Sequence, residues 1–452
     1  MRKDMRIVVI GAGISGLSCA QYLVQQGYRV CVYEKENALG GLMRSYTQDG
    51  YLYDIGPHYA YHEFIKKIGL TDDEYVYIPF DYQVFVNGSF IKFPFGIMKY
   101  PRYVSSAIGV LFGNSIRNNT EGASFGAYIR RAFGDSIAQD IWLPLIRKWQ
   151  GVDPEELSVD FADRKLPSIS TRLMFNMVTS VLSGGRTFSF GNREKHFTHV
   201  YPRKGIQQVC HKICEGFKDC IYLDAPVEEI NVKDNRVEAI NVKGKEIPVD
   251  VLISAIPLPA LSGLVRNTDV LEAYRRLRFR NTILLVFFIA RNKVMRGVIN
   301  WFPDKEFTFF RITEPKNAAS FVAPQGKTIM EVEITCNEED HVWRMPELVL
   351  CDLVQKQLCQ VYQLNNEEIE YYRIHKVPFT SPTYLIGYDA LRRNIRCPTG
   401  IKNLFLVGRA GQHRYLLIDE SYEHARACAQ EIIETGLTAE TNGDEDRGTK
   451  ML

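Results

Sequence analysis

Three glycines at 11, 13 and 16, followed by an acid at 34, have the types and spacing that most directly imply chemistry. Gly11-Ala-Gly13-Ile14-Ser15-Gly16 follows the β-branched run Arg6-Ile-Val-Val-Ile10 and precedes a stretch with Leu17, Ala20 and Leu23 on one helical face. This order predicts a buried parallel strand, a tight turn and a helix start. Gly11 permits the turn, Gly13 lets backbone approach a pyrophosphate, and Gly16 lets the helix pack closely on the strand. The unpaired N–H groups at the helix start, those of Ile14 and Ser15 among them, suit an anion. Gly27 caps the helix, Arg29 to Tyr33 reads as a second strand, and Glu34 stands 23 residues after Gly11. A carboxylate there accepts hydrogen bonds from a ribose diol, so the segment predicts a dinucleotide site.

Past Glu34 and Lys35 come Gly40-Gly41 and then Leu42-Met-Arg44-Ser45. From residue 6 through Tyr51-Leu-Tyr-Asp-Ile-Gly56, the chain resembles the extended FAD fingerprint of the amine oxidase clan. The resemblance implies FAD rather than NAD. It sets Glu34 and Lys35 at the cofactor, with Gly40, Gly41, Leu42 and Arg44 towards the pyrophosphate and flavin. Tyr201-Pro-Arg-Lys-Gly205 resembles the clan's Tyr-Pro-x-Gly-Gly segment, with Ile206 in place of the second glycine. Ile221 to Ile230 resembles the strand that holds the adenine, which implies a contact at Val227. Asn403 to Gly411, with the helix expected from about Ser421 to Gly436, resembles the last FAD segment. It implies contacts from Gly408, Arg409 and Ile418.

A narrower resemblance is to the UDP-galactopyranose mutase-like and protoporphyrinogen oxidase-like flavoproteins. Gly56-Pro57-His58, with His62 beyond it, resembles their loop beneath the flavin. This implies that His58 tunes the flavin or moves a proton. Phe85 to Pro94, Phe133-Gly-Asp135, Trp149, Asp153-Pro154 and Leu157-Ser158 resemble further segments of that group. Arg409 is implied at the flavin, and Arg414 and Tyr415 at a substrate anion. Arg311 either faces the substrate cavity or pairs with Glu333. The chain departs from the group at Lys148-Trp149-Gln150-Gly151 and lacks its Trp-Thr-Gly-Pro-Ile-Asp segment. Arg278, Arg280 and Lys316 are the candidates for the lysine that amine oxidases place near the flavin.

The elements that position these residues read as an α/β fold. A Rossmann-like FAD-binding domain of glutathione-reductase type is expected from three separated stretches, 1–96, 197–262 and 399–436. A helical substrate or cap segment is expected at 97–196, and a mixed-sheet substrate segment at 263–398 with strands near Thr282 to Ala290, Thr308 to Thr313 and Thr328 to Thr335. Residues 437–452 read as a disordered tail. The 452-residue length fits several intertwined domains. With 55 basic and 53 acidic residues, the net charge of +2 gives no reason to expect a nucleic-acid partner. Ten cysteines, several in apolar runs, read as reduced thiols in a cytoplasmic protein. Cys210, Cys214 and Cys220 lack metal-site spacing, so no metal is expected. No 18-residue apolar run predicts a membrane span. The partner expected is a small molecule, with a nucleotide sugar among the candidates and an oligomer left open.

Three functions fit. The first is a flavin oxidoreductase acting on an amine, alcohol or sugar-type substrate. The second is a non-redox mutase using reduced flavin on a UDP-sugar. The third is an FAD-binding protein without turnover.

Overall fold

The computed structural model describes residues 4–79, 81–93, 96, 99–112, 124–159, 199–388 and 400–435. The expected tail at 437–452 and the 160–196 part of the expected helical segment lie outside the described residues. Packing divides the chain into two compact units. The first comprises Met1–Gly41, Cys210–Leu277 and Ala390–Leu452, and the second Leu42–Val209 and Arg278–Asp389.

The first unit opens with β1 (Ile7–Ile10), α1 (Ile14–Gln25) and β2 (Val30–Tyr33). All four residues of β1 are buried, as in a parallel strand covered on both faces. The five-stranded sheet runs Ile221–Tyr222, β2, β1, Val251–Ser254, Leu404–Leu406, with every pairing parallel. Chain order reverses across β1, and ligands bind such sheets at the carboxyl ends of the strands beside that reversal. A smaller sheet holds Val227–Lys233, Arg236–Val242 and Lys245–Pro248 as an antiparallel meander, with Val265–Arg266 added parallel. Helix Ile418–Thr435 is locked to α1 where Gln21 Oε1 accepts from Tyr422 Oη at 3.3 Å and Arg426 Nη1 at 3.1 Å. It begins before the expected Ser421. Glu420 caps it by accepting the Leu417 N–H at 2.8 Å, and Asp419 and Glu420 suit the positive end of the helix dipole.

The second unit is built on a seven-stranded mixed sheet. Its order is Ile369–Pro382, Phe279–Ile289, Thr328–Cys336, Arg311–Thr313, Ile299–Trp301, Tyr82–Val86, Ser89–Phe93. From Ile283 onward, strand Phe279–Ile289 is an unbroken apolar run because both its faces are covered. Ile283, Leu285 and Phe287 pack with Phe302, Phe309 and Leu350 on one side. Leu284, Val286 and Phe288 pack with Tyr51 and Tyr53 on the other. The strand expected at Thr308 to Thr313 is shorter, and within the helical segment expected at 97–196 the helix over 138–150 is two pieces. It runs as a wide π-type turn at Ala138–Trp142 and then as Leu143–Gln150, with Pro144 removing one backbone donor at the junction.

Candidate FAD site and active site

In the first unit the turn after β1 is built by contact between backbones. Gly11 has φ +99°, which only glycine adopts without strain. A Cβ on Gly16 would lie 2.0 Å from the Gly11 carbonyl oxygen, so the helix can sit this close to the strand only with glycine there. Gly13 caps α1 with no side-chain hydrogen bond, and the helix closes its first backbone bond from Leu17 N–H to Gly13 O at 3.0 Å. The N–H groups of Ile14, Ser15 and Gly16 precede that bond, and no acid occupies the first turn. Both features suit a phosphate.

Gly40 N–H donates to Ala12 O at 2.8 Å, and a Cβ on Gly41 would lie 3.3 Å from Gly13 Cα. A Cβ on Gly408 would strike Ser15 Oγ at 2.2 Å. Three glycine segments far apart in sequence therefore converge on one helix start. Glu34 is buried beside them and accepts from Ala12 N–H at 2.7 Å and Glu36 N–H at 3.0 Å. Its carboxylate is thus fixed at the tip of β2, where a ribose diol would meet it. Ala225 N–H donates to Glu34 O at 2.8 Å, which brings the strand beginning at Val227 alongside. These residues fit an adenine dinucleotide held by glycine backbone and one acid.

Arg409, in the same unit, stacks over Tyr415 with Cζ 4.5 Å from the ring centroid, and its Nε is buried without a partner. Tyr415 thereby supports Arg409. Arg414 N–H donates to Arg409 O at 3.0 Å, which ties the two arginines into one turn. Ile418 begins the final helix. Lys35 is exposed and lies 3.6 Å from the Glu36 carboxylate, so its charge meets an acid and solvent.

The second unit carries the other candidates. His58 Nδ1 lies 3.0 Å from Gly56 O, within a turn where Gly56 takes φ +78°. A Cβ on Gly56 would lie 2.8 Å from Glu333 Oε1, so the turn rests directly on that carboxylate. His62 is held by Tyr75 Oη at 2.8 Å and Tyr77 Oη at 3.1 Å. Arg44 lies over the ring of Tyr46, 5.6 Å from its centroid, and Leu42 and Pro57 are half-buried.

The alternatives for Arg311 resolve in favour of pairing. It grips Glu333 with two nitrogens, Nη2 to Oε1 at 2.6 Å and Nε to Oε2. Its guanidinium also lies over Trp301 and Phe310 at 5.1 and 5.2 Å. Lys316 Nζ donates to Asn292 Oδ1 at 3.0 Å and to the carbonyls of Pro324 and Lys327. Arg280 is buried, donates to Thr335 O at 3.0 Å and packs on Gly151.

The flavin-containing amine oxidoreductase family model matches residues 14–433 and so spans both units. The chain belongs to that family. Its cofactor is FAD. Along nearly its whole length it is similar to the 15-cis-phytoene desaturase of Synechococcus elongatus, at 22% identity over 95% of this chain and 96% of that protein. In fold it is similar to reduced UDP-galactopyranose mutase, with TM-score 0.80, 18% identity and coverage of 95% and 96%. It is also similar in fold to an Exiguobacterium sp. 255-15 protein assigned as a protoporphyrinogen oxidase, with TM-score 0.76, 17% identity and coverage of 96% and 100%. Among the described residues, no helix is long and apolar enough to cross a membrane.

For a member of this family, two buried acids and a half-buried lysine of the second unit went unrecognised in the sequence. Asp54 is 3% exposed and accepts from Ser45 Oγ at 2.5 Å, and burial pushes its carboxyl up to about 7. Glu331 is 1% exposed; burial first, then the charges of Asp54 and Glu333, push its carboxyl well above the usual range. Lys148 points its Nζ at the carbonyls of Phe302 at 3.0 Å, Phe309 at 3.1 Å and Asp304, while burial pulls it down to about 7. A signal for Glu331 was present. Two acids spaced by two in the run Thr-Ile-Met-Glu331-Val-Glu333-Ile-Thr share one face of a strand that is otherwise apolar.

Proposed function

We propose that the protein is an FAD-dependent oxidoreductase that removes hydride from a small-molecule amine, alcohol or sugar-type substrate. The observation that carries this reading is the family match over residues 14–433, which extends through both units rather than the dinucleotide-binding unit alone. When bound, FAD supplies a two-electron acceptor at its flavin N5. The first unit's residues would hold it: Ile14, Ser15 and Gly16 at the phosphates, Glu34 at the ribose, Val227 near the adenine, and Gly408 and Arg409 towards the flavin. Gly56, Pro57 and His58 are proposed at the flavin on the resemblance alone. There His58 would orient substrate or hold a proton. Arg414 is proposed to meet a substrate anion. Nine free cysteines among the described residues suit a reducing, cytoplasmic setting.

A non-redox mutase acting on a nucleotide sugar is the competing reading, and Arg311 weighs against it. Its guanidinium is committed to Glu333 through two nitrogens, whereas a diphosphate site needs arginines free to meet the anion. Anaerobic addition of a substrate panel to the FAD-loaded protein tests the proposal. Bleaching of the flavin absorbance without added reductant supports it. Turnover that requires prior dithionite and leaves substrate and product at the same oxidation level would sink it.

A further inference from the structure

Within the second unit, the turn that carries Gly56 and His58 rests on Glu333 at Gly56 and on Glu331 at the Asp54 N–H, with Arg311 gripping Glu333. Glu333 and Arg311 neutralise each other through two hydrogen bonds. Asp54 and Glu331 are left, both buried, and neither forms an ion pair with a cation among the described residues. They are in contact: Asp54 N–H points at Glu331 Oε1 at 3.4 Å. Burial, and the charges of Asp54 and Glu333 beside it, disfavour the Glu331 anion, so a proton is kept in this cluster.

Hydrogen bonding decides where that proton sits. Asp54 accepts from Ser45 Oγ at 2.5 Å, from Tyr201 Oη and from the Ile206 N–H, three donors that stabilise an anion. Glu331 receives only the long Asp54 N–H contact, and its Oε2 is buried with no partner. A negative charge on that oxygen would lack compensation, which is the costliest arrangement a protein interior can hold. Among the other groups facing Glu331, the Arg311 charge favours the ionised form, but it counts for less than the burial and the charges of Asp54 and Glu333 that oppose it. Tyr59 offers a buried hydroxyl that is itself without a partner, Tyr53 and Tyr201 are neutral, and Arg311 is occupied by Glu333. On the far side, strand Phe279–Ile289 sets Val286 against Glu331, and strand Arg311–Thr313 sets Thr313 against it.

We propose that Glu331 is a positioning residue, carried as the neutral acid, whose carbonyl oxygen seats the Asp54–Gly56 turn and so fixes where His58 stands. The oxygen facing Asp54 N–H serves as acceptor and the other keeps the proton. Losing that proton would set a second buried anion against Asp54 and unseat the turn. The seat stands on its own geometry; only the consequence for His58 rests on the proposed flavin role.

Replacing Glu331 tests this in the FAD-loaded full chain with two readouts that do not depend on turnover. The first is infrared detection of an un-ionised carboxyl at neutral pH. The second is thermal and denaturant unfolding across pH. The folded protein holds one proton that the unfolded chain releases above its ordinary glutamate range, roughly 4.3. Wild-type stability should therefore fall as pH rises, by up to tenfold in the folding equilibrium per pH unit. Glu331→Gln keeps the carbonyl and cannot ionise. It should match wild type in acid, lose the infrared signal, and gain on wild type by up to that tenfold per unit as pH rises. Glu331→Ala should be weaker at every pH, since it removes the acceptor as well. Absence of the signal from wild type overturns the proposal, as does a Gln variant that tracks wild type at all pH values. Asp54→Asn guards against a Gln variant that does not fold. It should keep the signal in acid and lose it at lower pH than wild type, because the neighbouring anion that retains the Glu331 proton is gone. If Asp54→Asn abolishes the signal outright, the proton belongs to Asp54 and the assignment fails.

Discussion

The two units solve opposite problems of polarity. The first gathers its proposed anion site from uncharged parts, glycines at 11, 13, 16, 40, 41 and 408 and the open end of α1, with one buried acid beside them. The second buries Asp54, Glu331 and Glu333, half-buries Arg311 and Lys148, and must satisfy each in place. In the first unit, fit is set by how closely backbones approach, and side chains matter mainly by being absent. In the second, fit is set by counting charges against partners. Damage should therefore differ in kind: loss of cofactor from the first, loss of stability and altered pH response from the second.

The largest effect should come from breaking the Arg311–Glu333 ion pair of the second unit, whose carboxylate is buried. Arg311→Ala leaves Glu333 buried and unpaired beneath Gly56, and should cost about 3–5 kcal/mol of unfolding free energy by denaturant titration. Removing both charges, as Arg311→Met with Glu333→Leu, should return most of it. If the single and double variants are equally unstable, charge counting is the wrong description of this unit.

Next should come Gly16→Ala. A methyl placed 2.0 Å from a backbone oxygen forces α1 off β1, at about 1–3 kcal/mol. The same shift moves the helix start away from any phosphate, so the purified variant should carry little flavin per mole of protein by absorbance. A Gly16→Ala protein with a full complement of flavin would show that the backbone approach is not what holds the cofactor.

These two sites also differ in how far they could be read from the chain. The first unit was legible because a backbone site leaves its mark in local order: a β-branched run, glycines at set spacing, a helix, a second strand and Glu34. Even the distant Gly408 announced itself, through a strand running into glycine. The second unit's cluster joins Asp54, Glu331 and Arg311 from strands far apart in sequence, and nothing local says that they meet. Arg311 could be read only as a choice between cavity and partner. Lys148 looked like a departure from a motif, because its three partners are carbonyls that any sequence would supply. The early start of the last helix was missed for a similar reason: Glu420 caps it from inside its own first turn.

A smaller effect is expected at Glu34. Glu34→Gln keeps the size and one acceptor, but replaces a charge-assisted bond to Ala12 N–H with a neutral one. FAD affinity should fall about tenfold, equivalent to about 1.4 kcal/mol, when the apoprotein is titrated with FAD. Stability without FAD should change less than in Gly16→Ala. A loss confined to stability would mean that the acid serves the turn and not the ribose.

The smallest effect on stability should come from His58, and it tests whether the contrast between the units holds. Its Nδ1 bond to Gly56 O is a local bond in a half-buried turn, so His58→Ala should cost about 1 kcal/mol. If His58 serves only the turn, the flavin absorbance spectrum and the pH profile of turnover should match wild type. If it stands at the flavin, as proposed, the spectrum should shift and the turnover profile should lose one titration, with stability little changed. That outcome would make one side chain of the second unit matter to the cofactor through its chemistry, where the first unit is proposed to hold the cofactor through shape.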